Sequence, residues 1–194
     1  MNLLRETIRS ILLESGMKTM DDFPFSDTVI VIKQETYGYS IYYADKNNPQ
    51  QPTNHPMGYM EIAKPNGDTG PCDKAYHVRQ VKTEEGWGPL LYDVGMEHAT
   101  KVGGGLTSDR YFVSEEAHDV WDYYMTKRAA SNDVTVHQLD DLYNTLTPED
   151  TDNCEHDNVA TDLMGDADFE SPLTKRYTKP PKTIEKLGDK LVML

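Results

Sequence analysis

The stretch from Ala75 to Arg128 constrains the fold more than any other part of the chain, because its periodicity and punctuation change in a fixed order. Ala75 to Lys82 reads as a strand. Gly86-Trp87-Gly88-Pro89 follows, then a helix over Leu90 to Lys101, with Pro89 suited to its first turn. Gly103-Gly104-Gly105 ends that helix, and Leu106-Thr107-Ser108 forms a short strand. Ser114-Glu115-Glu116 then opens a second helix with good N-cap chemistry and acids near the positive end of the dipole, running to about Arg128. The pattern predicts an α/β protein built on a mixed sheet.

Strand signals dominate upstream. Thr28-Val29-Ile30-Val31-Ile32 is β-branched throughout, Tyr39 to Tyr43 follows Tyr37-Gly38, and Met57 to Ala63 ends at the turn signal Pro65-Asn66-Gly67-Asp68. Lys46 to Pro56 reads as a loop. Before these strands, Leu4, Ile8, Ile11 and Leu12 recur at helical spacing, so residues 1–16 are expected to hold a short amphipathic helix or arm. Val134 to Leu139 is expected to be the last strand of a core domain over 26–139. Residues 140–194 change character: eleven acids and no Lys or Arg lie between Asp140 and Glu170. The end is basic, with six Lys or Arg against two acids from Lys175 to Leu194. This reads as an acidic loop and a C-terminal tail packing back on the domain.

Composition excludes several functions. Lys and Arg number 19 against 33 Asp and Glu, a net charge of −14. A surface that neutralises nucleic-acid phosphates is therefore not expected. No run approaches the ~18 apolar residues of a membrane span, and nothing resembles a secretory signal. The two cysteines, Cys72 and Cys154, are too few for a disulfide scaffold, so a reducing compartment is the default and Cys72 reads as a loop thiol.

Chemistry concentrates at the glycine turn. A strand running into Gly86-x-Gly88 at a helix start offers bare backbone amides near a partial positive charge, where phosphate or pyrophosphate fits. The Walker pattern is absent, and Leu91 stands where a dinucleotide fingerprint needs its third glycine. Asp150 to Asp157 is rich in ligand types but lacks EF-hand spacing, and one Cys with His156, even joined by His137, does not make a zinc set, so no metal is expected. His77 and His98 read as core or surface residues. Ser108-Asp109-Arg110 reads either as a substrate contact or as an Asp–Arg pair holding a turn.

The order of elements and the run Glu85-Gly86-Trp87-Gly88-Pro89-Leu90-Leu91, ending at Ala99, resemble motif A of the GNAT superfamily of N-acetyltransferases. Ser114, Ala117 and Trp121 occupy the three places of its motif B. The resemblance spans roughly Val29 to Leu139. It implies a GNAT-like α+β fold and acyl-CoA-dependent N-acyl transfer, with acetyl-CoA as cosubstrate. It also implies a cleft between splayed parallel strands near Val78 and Leu106. Val78, Gly86, Trp87 and Gly88 would bind the cosubstrate, and Tyr124, one turn beyond Trp121, would serve as the catalytic acid. A cationic amine or basic protein would be the acceptor. The chain departs from the family at Thr83, which stands at the usual Arg or Gln position, at Glu84 and Glu85 beside the turn, at Pro89, and at Trp121 in place of a tyrosine.

The whole chain is also similar to proteins of large tailed bacteriophages, through Gly88-Pro89-Leu90-Leu91-Tyr92-Asp93-Val94, Gly103 to Arg110, Val120 to Tyr124 and Glu170 to Tyr177. Leu12-Leu13-Glu14 matches a loose pattern cut by phage prohead proteases. This resemblance implies a protein of the host cytoplasm or the virion, whose N-terminal helix docks on capsid proteins. It leaves open a rival to the enzyme: a catalytically degenerate virion or packaged protein that keeps the fold as a binding module.

Overall fold

The computed structural model describes residues 18, 20–24, 26–50, 57–159 and 168–194. The expected N-terminal helix, the cut pattern and part of the Lys46–Pro56 loop lie outside these. Among the described residues the fold is mixed α/β, a large curled sheet with three α-helices.

Four strands come first: β1 (Thr28–Glu35), β2 (Gly38–Asp45), β3 (Gly58–Ala63) and β4 (Tyr76–Thr83). They pair antiparallel in chain order. β1 and β2 join through a two-residue turn, since Glu35 pairs with Gly38. The meander is tight there, because a Cβ on Gly38 would stand 1.9 Å from the Ile62 carbonyl oxygen, so only glycine fits. β4 leads into α1 (Gly88–Val102), which turns Leu90, Leu91, Val94, Met96 and Ala99 into the main core. Ile30, Ile32, Ile41, Met60 and Ile62 meet them from one face of the sheet. Alternation puts Val29, Val31, Tyr42 and Ala44 in a second cluster on the other face.

The glycine run after α1 positions β5 (Leu106–Thr107). Gly104 passes so close to the turn before β4 that a Cβ would stand 1.8 Å from the Asp73 carbonyl oxygen, and its amide donates to Lys74 O at 3.1 Å. The chain then lies beside β4, with Tyr76 opposite Leu106 and His77 opposite Thr107 in parallel register. α2 (Glu115–Tyr123) is capped by Ser114, whose hydroxyl accepts from the Ala117 amide at 3.3 Å. It continues as a π-helical turn over Tyr124–Arg128.

β6 (Thr135–Gln138) is not the last strand of the sheet, contrary to the expectation for 134–139. After the short parallel pair β7 (Asp140–Asp141) and β8 (Asn153–Cys154), the chain returns as β9 (Lys175–Thr178), which inserts between β5 and β6. Following α3 (Lys182–Leu187), β10 (Leu191–Met193) adds to β1 in parallel. The final order is β10-β1-β2-β3-β4-β5-β9-β6. The C-terminal segment thus supplies two strands of the sheet. Charge helps hold it: Lys179 meets Glu97 at 2.5 Å, both nearly fully buried, and Glu97 also accepts from the amides of Thr183 and Ile184.

The reading of two unpaired thiols is corrected. Cys72 and Cys154 form a disulfide across 82 residues of sequence. The acidic segment brings them together by folding onto the turn before β4. Asp73 N donates to Thr151 O and Glu155 N to Thr69 O, a pairing that no local pattern encodes. Beside it lies Arg110, fully buried, which donates to Ser108 O, Leu173 O and Glu155 O and stands 3.9 Å from Cys154 Sγ. Burial lowers its pKa to about 10.

Candidate functional site

The parallel pairing of β4 with β5 lasts only two residues. Beyond His77, β4 continues to Thr83 with no partner on that side among the described residues, while the chain leaving β5 turns away. β4 also carries a bulge: Gln80 pairs with Glu61 and Val78 with Ile62, which leaves Arg79 as an extra residue. A bulge kinks its strand and raises the local twist, so the two parallel strands diverge further.

The gap is a cleft of about 180 Å³. Val78 to Val81 form its strand wall and Tyr92 of α1 its inner side. Ser114, Ala117 and Trp121 of α2 line it together, because spacings of three and four put them on one helix face. Asp109, Phe112 and Val113 form the rim. Asp109 Oδ1 accepts from the amides of Tyr111 (2.6 Å) and Phe112 (3.1 Å), and this turn leaves the Phe112 ring 76% exposed at the opening. Asp109 is thus both a turn-holder and a carboxylate at the cleft. Arg110 points into the protein and makes no ion pair with it among the described residues.

Of the expected site residues, Val78 lines this cleft. Gly86, Trp87 and Gly88 stand at the far end of β4, about 17 Å of extended strand beyond Val78. Gly86 has φ +85°, a turn conformation that favours glycine, and its carbonyl accepts from Lys18 N at 2.9 Å. The Trp87 ring packs edge-on against Tyr43 (5.8 Å) and Phe23 (6.3 Å), so its bulk serves the core and only its backbone belongs to the turn. Trp87 gives α1 no side-chain cap. The first-turn amides of α1 are therefore uncapped from that position, although Pro89 contributes none.

Tyr124 is not among the cleft residues. Its hydroxyl lies 2.9 Å from Asp93 Oδ1 and 3.2 Å from Pro89 O, and it is fully buried. Burial and the Asp93 carboxylate push its pKa well up. Arg128 bridges Asp93 (3.1 Å) and Asp133, so this network ties the end of α2 to the start of α1. The residue the sequence reading missed is Tyr92. Its signal was the face it shares on α1 with the core, which marks burial but not what borders it.

A wider hollow of about 410 Å³ adjoins the cleft through Arg79 and is lined by Glu35, Tyr37, Tyr39, Ser40 and Glu61. A second hollow, at the start of α1, holds Lys18, Arg128, Lys179, Lys182 and Lys186, but Asp93, Glu97 and Asp133 pair with three of these cations. Among the described residues no three His, Cys, Asp or Glu side chains gather into a metal-holding group, and no helix is long and apolar enough to cross a membrane. No protein-family model matches the chain, and no curated protein or solved structure matches it either.

Proposed function

We propose that this chain is a GNAT-like acyltransferase that moves an acyl group from acyl-CoA to an amine. The observation that carries the reading is the parallel β4–β5 pair that parts after two residues at a bulge, opening a cleft lined by Val78 and by Ser114, Ala117 and Trp121. A slender thioester arm could lie along the free edge of β4, its carbonyl polarised by a strand amide and its diphosphate at the amides around Gly86 and Gly88. Asp109 is the carboxylate placed to take the amine proton, directly or through water. Glu35 and Glu61 in the adjoining hollow favour a cationic acceptor, a small amine or a basic protein.

Acetyl-CoA tests this. At about 100 times Kd it adds ~2.7 kcal/mol of stability, roughly 5–10 °C in Tm for a chain of this size. Gly88→Glu, whose Cβ would approach Thr83 Oγ1 at 3.3 Å, should abolish that shift relative to its own unliganded midpoint. No shift of the native protein in millimolar acetyl-CoA overturns the reading.

The second reading is a degenerate virion protein of a tailed phage, docking on capsid through its N-terminal segment. The bonding of the buried Tyr124 hydroxyl to Asp93 and the packing of the half-buried Trp87 ring against the core favour it. It requires the protein to be present in purified particles by mass spectrometry. Under either reading the expected location is the host cytoplasm or the virion.

A further inference from the structure

The hollow beside the cleft carries two opposite charges that the protein leaves unpaired. Glu61 and Arg79 both line it. Neither side chain makes an ion pair or a hydrogen bond among the described residues. The other carboxylate there, Glu35, is already engaged: its Oε1 lies 2.9 Å from Lys33 Nζ and accepts from Ser40 Oγ at 3.4 Å. Register explains the position of the free pair. Glu61 stands opposite Gln80 and Ile62 opposite Val78, so Arg79 is the extra residue of the β4 bulge. A bulge re-aims its side chain. Of the described residues, Arg79 alone lines both the hollow and the cleft.

Adjacent strands run about 5 Å apart, so a carboxylate and a guanidinium there face the same small volume. An amine alone satisfies Glu61 and leaves Arg79 idle, and a carboxylate alone does the reverse. A ligand that satisfies both carries an ammonium and a carboxylate close together. We infer that the hollow binds the zwitterionic head of a free amino acid, its α-carboxylate on the Arg79 guanidinium and its α-ammonium on Glu61. The planar guanidinium can take a carboxylate through two parallel hydrogen bonds. A residue inside a peptide has neither charge, and the two termini of a peptide are separated by its length, so a lysine within a protein does not fit. From Arg79 the side chain of the bound amino acid enters the cleft, where Asp109 stands. Its fate there rests on the acyltransferase reading: the amino acid is the acceptor, and its side chain carries the amine. In the transfer the neutral amine nitrogen bonds the acyl carbon, and the C–S bond breaks with its electron pair leaving on sulfur. One proton passes from nitrogen, through Asp109 or water, to the sulfur.

Titration calorimetry tests the site with L-lysine, with cadaverine (lysine without its carboxylate) and with 6-aminohexanoate (lysine without its α-ammonium), each with and without millimolar CoA. Lysine should bind about tenfold more tightly than either analogue. Arg79→Gln should erase the preference over cadaverine, and Glu61→Gln the preference over 6-aminohexanoate. Both variants should keep the native Tm, because neither side chain is bonded within the protein. Equal binding of the three compounds, no binding of lysine in either condition, or a preference that survives its variant overturns the inference. So does a clear fall in Tm of either variant, or tighter binding of Nα-acetyl-lysine amide, which would assign the hollow to a basic protein. These outcomes leave the acyltransferase reading in place, since that stands on the acetyl-CoA shift. Lysine selected through Arg79 and Glu61 without such a shift would uphold the amino-acid site and remove the transfer.

Discussion

Reduction of the Cys72–Cys154 bond should cost this protein a large share of its stability. The bond closes 82 residues of chain, and the loop-entropy relation for a loop of that length gives about 4.5 kcal/mol at 25 °C. The folded state offers little to offset this, since both sulfurs are buried with Leu139 in a small cluster that free thiols would still fill. Arg110 Nη1, 3.9 Å from Cys154 Sγ, would favour a thiolate after reduction and recover part of the loss, so about 3–4.5 kcal/mol is expected. Against a total of ~5–15 kcal/mol for an ordinary domain, that is a substantial fraction. Urea unfolding with and without a phosphine reductant measures it directly. The midpoint should fall on reduction and the m-value should rise, because a chain without the cross-link exposes more surface when unfolded. Coincident curves would refute the reasoning, as would two thiols titrating in unfolded protein that had never met a reductant.

Two further perturbations test the frame around the cleft. Burial depresses the pKa of His77 and His98 to about 4 and of His156 to about 3, below the unfolded value near 6.5. Their neutral forms therefore contribute stability that is complete above pH 6.5 and is lost as pH falls from 6.5 toward 4, at roughly 1 kcal/mol per pH unit for each group; urea midpoints that stay level between pH 7 and pH 5 would contradict this. Glu97→Ala should destabilise by about 3–5 kcal/mol, because it strands the buried Lys179 ammonium and two helix amides of α3; equilibrium unfolding would show it, and a loss below about 1 kcal/mol would mean that Lys179 is satisfied elsewhere.

What the sequence determined by itself is local. The β-branched run of β1, the alternation of β2 and β3, Pro89 at the first turn of α1, the glycines after it and the Ser114 cap each act within a few residues. Each of these elements is present, although β1 runs on three residues past its β-branched stretch to Glu35 and α2 gives way to a π-helical turn after Tyr123. The spacing of Ser114, Ala117 and Trp121 even placed three cleft residues on one helix face. Tertiary structure alone decided the rest, because it depends on which distant segments meet. β9 enters between β5 and β6, Cys72 finds Cys154, and the hydroxyl of Tyr124 turns to Asp93 while Tyr92 lines the cleft. Two tyrosines on amphipathic helices look alike in a sequence. Only the packing of one helix against another settles which of them bonds Asp93 and which lines the cleft.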